Sequence, residues 1–137
     1  MIKLIIQIPC KNEEETLPLT FHGLPKSIPG VEIEYLIIND GSTDRTVEVA
    51  RELGVHHIIQ FKGNRGLGVA FHHGIMHSLM LGADIVVNTD GDNQYPGNKI
   101  PELIQPILDG RAEMVIGNRR PGINPHFSTF KRFLQRL

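Results

Sequence analysis

Five short apolar runs divide the chain, and each ends abruptly in polar residues. They are Lys3 to Ile8, Ile33 to Ile38, His57 to Phe61, Asp84 to Thr89 and Met114 to Gly117. The first is rich in Ile and stops at Pro9, as suits a strand buried on both faces of a parallel sheet. Segments with helical signals lie between them. Asn12 can cap a helix reaching His22, with Glu13, Glu14 and Glu15 in the first turn, where the helix dipole favours carboxylates. Glu15 stands where the acidic member of a capping box would. Ser42 or Thr43 can cap a second helix through Leu53, stopped by Gly54. A third runs from about Val69 to Leu81 and ends at Gly82. Pro101 to Leu108 reads as a helix that Pro106 should kink, and Phe127 to Leu137 as a last, amphipathic one. Strand and helix in alternation predict an α/β fold: a three-layer α/β/α sandwich around a mostly parallel sheet.

The 137 residues suit one buried core, and an apolar fraction of 40% is too high for a disordered chain. No apolar run approaches the roughly 20 residues of a spanning helix. The first residues lack the apolar length and cleavage site of a signal peptide. A single cysteine, Cys10, excludes an internal disulfide framework. A cytoplasmic location is expected from these features. Charge is divided: residues 1–110 carry 8 basic and 14 acidic side chains, residues 111–137 carry 6 and 1. A basic end on an acidic body points to an anionic partner or to a solvated helix face. No nucleic-acid partner is expected.

In an open α/β sheet, ligands bind beyond the carboxyl ends of the strands. The residues at those ends are Pro9, Asn12 and Glu13; Asn39, Asp40 and Gly41; Asn64, Arg65, Gly66 and Gly68; Asp90, Asp92, Asn93, Gln94 and Tyr95; and Asn118, Arg119 and Arg120. Asp90-Gly91-Asp92 is the sharpest of these. Two carboxylates beside one glycine repel each other unless a cation joins them, and hard oxygens suit Mg²⁺ or Mn²⁺. An acidic turn that caps the next helix is the competing explanation. Ser42, Thr43 and Asp44 read as turn and cap residues, whereas Asp40 could accept hydrogen bonds from a base or ribose.

Other chemistries fit less well. The Walker phosphate loop and the dinucleotide Gly-x-Gly-x-x-Gly after the first strand are both missing. His73 and His77 share a helix face, but the helix lacks the glutamate of a His-Glu-x-x-His protease, so surface or packed histidines are expected. Cys10 has no matched base and reads as a structural thiol.

Four motifs in order resemble glycosyltransferase family 2. They are Ile8-Pro9-Cys10-Lys11-Asn12-Glu13-Glu14, Ile38-Asn39-Asp40-Gly41-Ser42-Thr43-Asp44, Asn64-Arg65-Gly66-Leu67-Gly68-Val69-Ala70 and Asn88-Thr89-Asp90-Gly91-Asp92-Asn93-Gln94-Tyr95-Pro96. Asp92-Asn93-Gln94-Tyr95-Pro96 is similar to the form seen in the polyprenyl-phosphate sugar transferase branch. The resemblance implies a shortened GT-A domain over residues 1–120 that binds a nucleotide-diphosphate sugar, GDP- or UDP-linked. It implies that Pro9, Asn12, Glu13, Asp40, Arg65, Gly66, Asp90 and Gly91 line the donor pocket. Asp90 and Asp92 would hold the metal, Gln94 would face the sugar or acceptor, and Arg119 would meet the acceptor phosphate. Asn39 departs from the family's Asp-Asp pattern.

Such a family member would be an inverting hexosyltransferase, with a polyprenyl phosphate as preferred acceptor. A lipid phosphate oxyanion is already deprotonated and needs positioning more than a general base, which Arg119 and Arg120 could supply. Residues 121–137 read as a basic amphipathic tail, the start of an acceptor- or membrane-facing region. Its Phe127, Phe130, Leu134 and Leu137 could lie on an anionic membrane face or pack on the core. A shortened sheet could also expose apolar surface and pair with a second copy. The alternatives are a nucleotide-sugar-binding chain without turnover and a sugar-phosphate nucleotidyltransferase. Against the latter, no glycine-rich basic loop follows the first strand.

Overall fold

The computed structural model describes residues 1–118. The chain divides into two compact units, Met1–Pro101 and Glu102–Leu137. The first unit contains strands β1 (Ile2–Cys10), β2 (Val31–Asn39), β3 (His57–Gln60) and β4 (Ile85–Asn88). It also contains helices α1 (Leu17–Gly23), α2 (Thr46–Glu52) and α3 (Leu67–Met80), and a 3₁₀ turn over Gly97–Lys99. Helix α4 (Ile100–Leu108) starts at the end of that unit and belongs mostly to the second.

The sheet is parallel throughout, in the order β3-β2-β1-β4. Register places Ile6 beside Tyr35 and Val87, and Gln7 beside Leu36 and Asn88. Side chains alternate across a strand, so these two rows face opposite sides of the sheet. On one side α3 packs through Ala70 onto Ile5, Leu36 and Ile38. On the other, Phe21 of α1 meets Tyr35 edge-on at 4.9 Å. The three-layer expectation therefore stands. Leu4, Ile5, Ile6, Ile8, Leu36, Ile37 and Ile38 are fully enclosed. Burying a side chain of this size contributes roughly 1.5–3 kcal/mol, so the apolar runs are the main source of cohesion.

A polar residue interrupts the apolar run of β1. Gln7 is fully buried in the middle of β1, with its Nε2 donating to Asn88 Oδ1 at 2.8 Å. Helix α3 crosses directly above it at Gly74. A Cβ at that position would lie 2.5 Å from Gln7 Oε1 and 2.9 Å from Ile38 Cδ1.

Three local expectations are corrected. Asn12 caps no helix: it adopts a left-handed φ of 53°, and α1 begins only at Leu17. Its Oδ1 instead accepts from Thr43 N at 2.8 Å, so Glu13 to Glu15 precede the helix and the capping box is absent. Neither Ser42 nor Thr43 caps α2, whose N-terminal flank is Arg45. Ser42 Oγ accepts from Asn12 N, and it is Asp44 that receives the Thr46 N–H, at 3.0 Å. In both cases a contact from about thirty positions away in the chain outcompetes the local cap.

The third correction is the fifth strand. Residues 114–117 carry no strand, with Met114 79% and Ile116 83% exposed. Strand propensity needs a neighbour that takes up the backbone groups and covers the side chains. Among the described residues this run has no strand partner. The expected helix over 127–137 and the boundary at residue 120 lie outside the described residues.

Candidate active site

The carboxyl ends of the parallel strands gather the four motifs, and backbone-to-side-chain hydrogen bonds bind them to one another. The loop after β1 is tied to the loop after β2. Asn12 N donates to Ser42 Oγ at 2.9 Å, Glu13 N to Thr46 Oγ1 at 2.9 Å, and Glu14 N to Asp44 Oδ2 at 3.2 Å. Thr46 Oγ1 in turn donates a hydrogen bond to Asp44 Oδ1. Ser42, Thr43 and Asp44 are thus turn residues whose polar atoms serve the neighbouring loop.

The loop after β2 is tied in turn to the loop after β3. Asp40 is buried, and its two oxygens accept from Arg65 N at 2.6 Å and Gly66 N at 3.0 Å. Gly41 follows with φ +71°, a conformation open chiefly to glycine. A Cβ there would lie 2.5 Å from the Gly63 carbonyl carbon, so the two loops touch backbone to backbone. Asn39 Oδ1 accepts from Ser42 N at 3.1 Å, a bond that an aspartate oxygen could equally accept. Only an oxygen acceptor is needed there, so the departure from the Asp-Asp pattern leaves the turn intact.

The loop after β4 meets the loop after β1. Gly91 is buried, and a Cβ on it would lie 2.8 Å from Cys10 Sγ and 3.4 Å from Glu13 Cγ. Asp90 and Asp92 flank it, both half-buried, and Asp92 Oδ1 accepts from Gln94 N at 3.2 Å to close the turn. Thr16 Oγ1 lies 2.7 Å from Glu13 Oε2 and 2.8 Å from the Gly91 carbonyl oxygen.

Electrostatics mark this corner as acidic. Burial, then repulsion from Asp92, Asp90 and Asp44, pushes the Glu13 carboxyl above its ordinary range, against the opposing hydrogen bond from Thr16. Cys10 is buried beneath the same charges. Burial first, then Glu13 and Asp90, drives its thiol far above the usual value, so it stays protonated and inert. An open cleft of about 260 Å³ adjoins this corner, lined by Asn12, Glu13, Glu14, Glu15, Thr16 and Asp44.

The structure therefore brings Pro9, Asn12, Glu13, Asp40, Gly66, Asp90, Gly91, Asp92 and Gln94 to the strand ends. Arg65 differs in part. Its backbone holds Asp40, while its guanidinium lies 5.1 Å from the centre of the Phe61 ring. Arg119 and Arg120 lie outside the described residues. The histidine rings pack against neighbours, His77 on His57 and His73 on Phe61. Thr16 is the site residue that sequence reasoning missed, because its only local signal was a hydroxyl ahead of Leu17-Pro18.

A parallel sheet in this order, with four loops interlocked at its carboxyl edge, defines a GT-A type α/β fold. The family model for glycosyl transferase family 2 matches residues 5–133, and the chain belongs to that family. It is 32% identical over 121 residues to a dolichol-phosphate mannosyltransferase of Pyrococcus furiosus, covering 86% of this chain and 33% of the relative. It is 32% identical over 127 residues to an undecaprenyl-phosphate mannosyltransferase of Micrococcus luteus, covering 88% and 50%. Among solved structures it is similar to glucosyl-3-phosphoglycerate synthase of Mycobacterium tuberculosis, crystallised with Mn²⁺, UDP and glucosyl-3-phosphoglycerate. There the TM-score is 0.64 at 26% identity, over 78% of this chain and 40% of that one. The chain spans a third to a half of the length of these curated relatives. No helix among the described residues is long and apolar enough to cross a membrane.

Proposed function

We propose that this chain supplies the donor side of a glycosyltransferase that moves a sugar from a nucleotide-diphosphate sugar to a polyprenyl phosphate. The observation that carries the proposal is the joining of the Asp90-Gly91-Asp92 loop to Glu13 at the carboxyl edge of the sheet. Asp40, Asn12 and Glu13 form the nucleotide side, and Gln94 faces the sugar. The polyprenyl-phosphate relatives favour the lipid acceptor. Arg119 and the basic tail would meet its phosphate and an anionic membrane face.

Mg²⁺ or Mn²⁺ fits the donor set. Asp90 and Asp92 offer hard carboxylate oxygens, and, after burial, their charges add to the upward push on Glu13, a repulsion that a cation would relieve. Among the described residues no group of three or more Asp, Glu, His or Cys side chains is placed so that it could hold a metal ion by itself. Two carboxylates with water and diphosphate oxygens are the coordination that Mg²⁺ commonly accepts. A bound cation would supply Lewis-acid stabilisation of the departing diphosphate. The chain's own part is to fix the two carboxylates on one tethered loop and to hold the nucleotide beside them.

Titration calorimetry with GDP-mannose and UDP-glucose, with and without Mn²⁺, tests the donor part. Metal-dependent binding of one of them is expected, and Asp92→Ala should abolish the metal effect. A folded sample that binds neither overturns the proposal. Transfer of labelled sugar to a short polyprenyl phosphate tests the acceptor. Donor binding without transfer would favour a chain that binds nucleotide sugar and does not turn it over.

A further inference from the structure

Thr16 stands at the N-terminal flank of α1, where a threonine ordinarily turns its hydroxyl onto a free N–H of the first helical turn. Here it makes no such bond, and its φ of −94° and ψ of −25° are helical rather than those of a capping residue. Pro18, in that first turn, has no N–H to offer. The hydroxyl is directed elsewhere, to Glu13 Oε2 at 2.7 Å and to the Gly91 carbonyl at 2.8 Å, a residue 75 positions away. The second contact joins α1 to the middle of the Asp90-Gly91-Asp92 loop. Gly91 cannot drift inward, because Cys10 Sγ and Glu13 Cγ already occupy the space that a Cβ would need.

We propose that Thr16 is a positioning residue: its hydroxyl fixes the Gly91 carbonyl, and with it the two flanking carboxylates, against Glu13. The inference rests on the donor-site proposal above and deepens it. A hydroxyl carries one proton and two acceptor lone pairs. Gly91 O can only accept, so Thr16 is the donor there, and it shares that one proton with Glu13 Oε2. The tether therefore couples the nucleotide side of the site to the carboxylate side. Asp90 and Asp92 are both carboxylates on that loop, and the tether fixes the residue between them. Thr16 touches no reacting atom in this scheme and acts only through the loop.

The test compares Thr16→Val, which keeps the shape and removes the hydroxyl, with Thr16→Ser, which keeps the hydroxyl. The probes are GDP and UDP, each titrated with and without Mn²⁺. Thr16→Val should reduce the gain in nucleotide affinity due to Mn²⁺ by about three- to tenfold, the loss of one net hydrogen bond. Thr16→Ser should restore the metal effect. A folded Thr16→Val with a wild-type Mn²⁺ effect overturns the inference, as does a Thr16→Ser that fails like the valine variant. Amide hydrogen exchange in the ligand-free protein separates this outcome from failure of the donor proposal. The amides of residues 91–94 should exchange faster in Thr16→Val than in wild type or Thr16→Ser, whether or not nucleotide binds. Unchanged exchange there overturns the tether itself.

Discussion

Asp40 holds Gly66: its Oδ2 accepts the Gly66 N–H at 3.0 Å, while Oδ1 accepts that of Arg65 at 2.6 Å. One buried carboxylate thereby orders the loop that opens α3. In Asp40→Asn, one of those N–H groups would face an NH₂. Both N–H groups are only part-buried and Gly66 N also reaches Asn64 Oδ1 at 3.1 Å, so the cost is about 1 kcal/mol, the low end for an unmet donor. The variant should lose that much stability in urea denaturation, and its donor affinity should fall with the disordered loop. An Asn variant with wild-type stability would show that Asp40 does not hold the loop.

Gly74 should tolerate no side chain. Ala is the better helix former by about 1 kcal/mol, yet a Cβ at this position would press on Gln7 and Ile38 of the sheet. Overpacking of a filled core costs typically about 1–3 kcal/mol. Gly74→Ala should therefore lower the unfolding midpoint. Gly68, also in α3, has open space around it, and Gly68→Ala should be neutral or stabilising by up to about 1 kcal/mol. In thermal melts Gly74→Ala should fall below wild type and Gly68→Ala should not.

The acid limb of stability should depend on Glu34. Its oxygens lie 2.7 Å from His57 Nε2 and 3.0 Å from Lys3 Nζ. The His57 hydrogen bond first, then that from Lys3, holds its carboxyl below the ordinary range against the opposing effect of burial. A depressed folded value means a contribution that is present above the unfolded value, about 4.3. That contribution is lost as pH falls through the folded one. Glu34→Gln should be less stable than wild type near neutrality, with the two curves converging below about pH 4. A gap independent of pH would contradict the assignment.

Glu13 should behave in the opposite sense. Its folded value is raised, by burial and by Asp92, Asp90 and Asp44. Its contribution is then fully present below the unfolded value and lost as pH rises through the folded one. Ionised Glu13 therefore weighs against folding at neutral pH. Glu13→Gln, measured with a chelator present, should unfold at higher denaturant than wild type at pH 7. The difference should vanish below about pH 4. Its amide can also donate to Thr16, freeing that hydroxyl for Gly91. Lower stability of the Gln variant at pH 7 would contradict this account.

The parallel sheet was legible because each strand repeats one local signal, an apolar run ended by polar residues. The glycine stops at Gly54 and Gly82 were legible for the same reason, and both have the positive φ expected of them. The run at Met114 to Gly117 carries that signal too and forms no strand, since pairing depends on a partner rather than on the run. Asn12 shows the same limit from the other side. Its sequence suits a cap, yet Thr43, distant in the chain, claims its side chain.

The sequence by itself determined the layer order, the family and the strand ends at which polar residues collect. These follow from hydrophobic periodicity and from motif spacing, which are properties of neighbouring residues. Only the tertiary structure decided how the four loops lock together: Asp40 onto Gly66, Asn12 between Ser42 and Thr43, Thr16 across to Gly91. Each of those bonds joins residues 26 to 75 positions apart. Their acceptors and donors have equally good local partners on paper. The choice falls to the distant partner because the buried sheet fixes where the strand ends stand, and so which polar groups of the loops come within hydrogen-bond reach of one another.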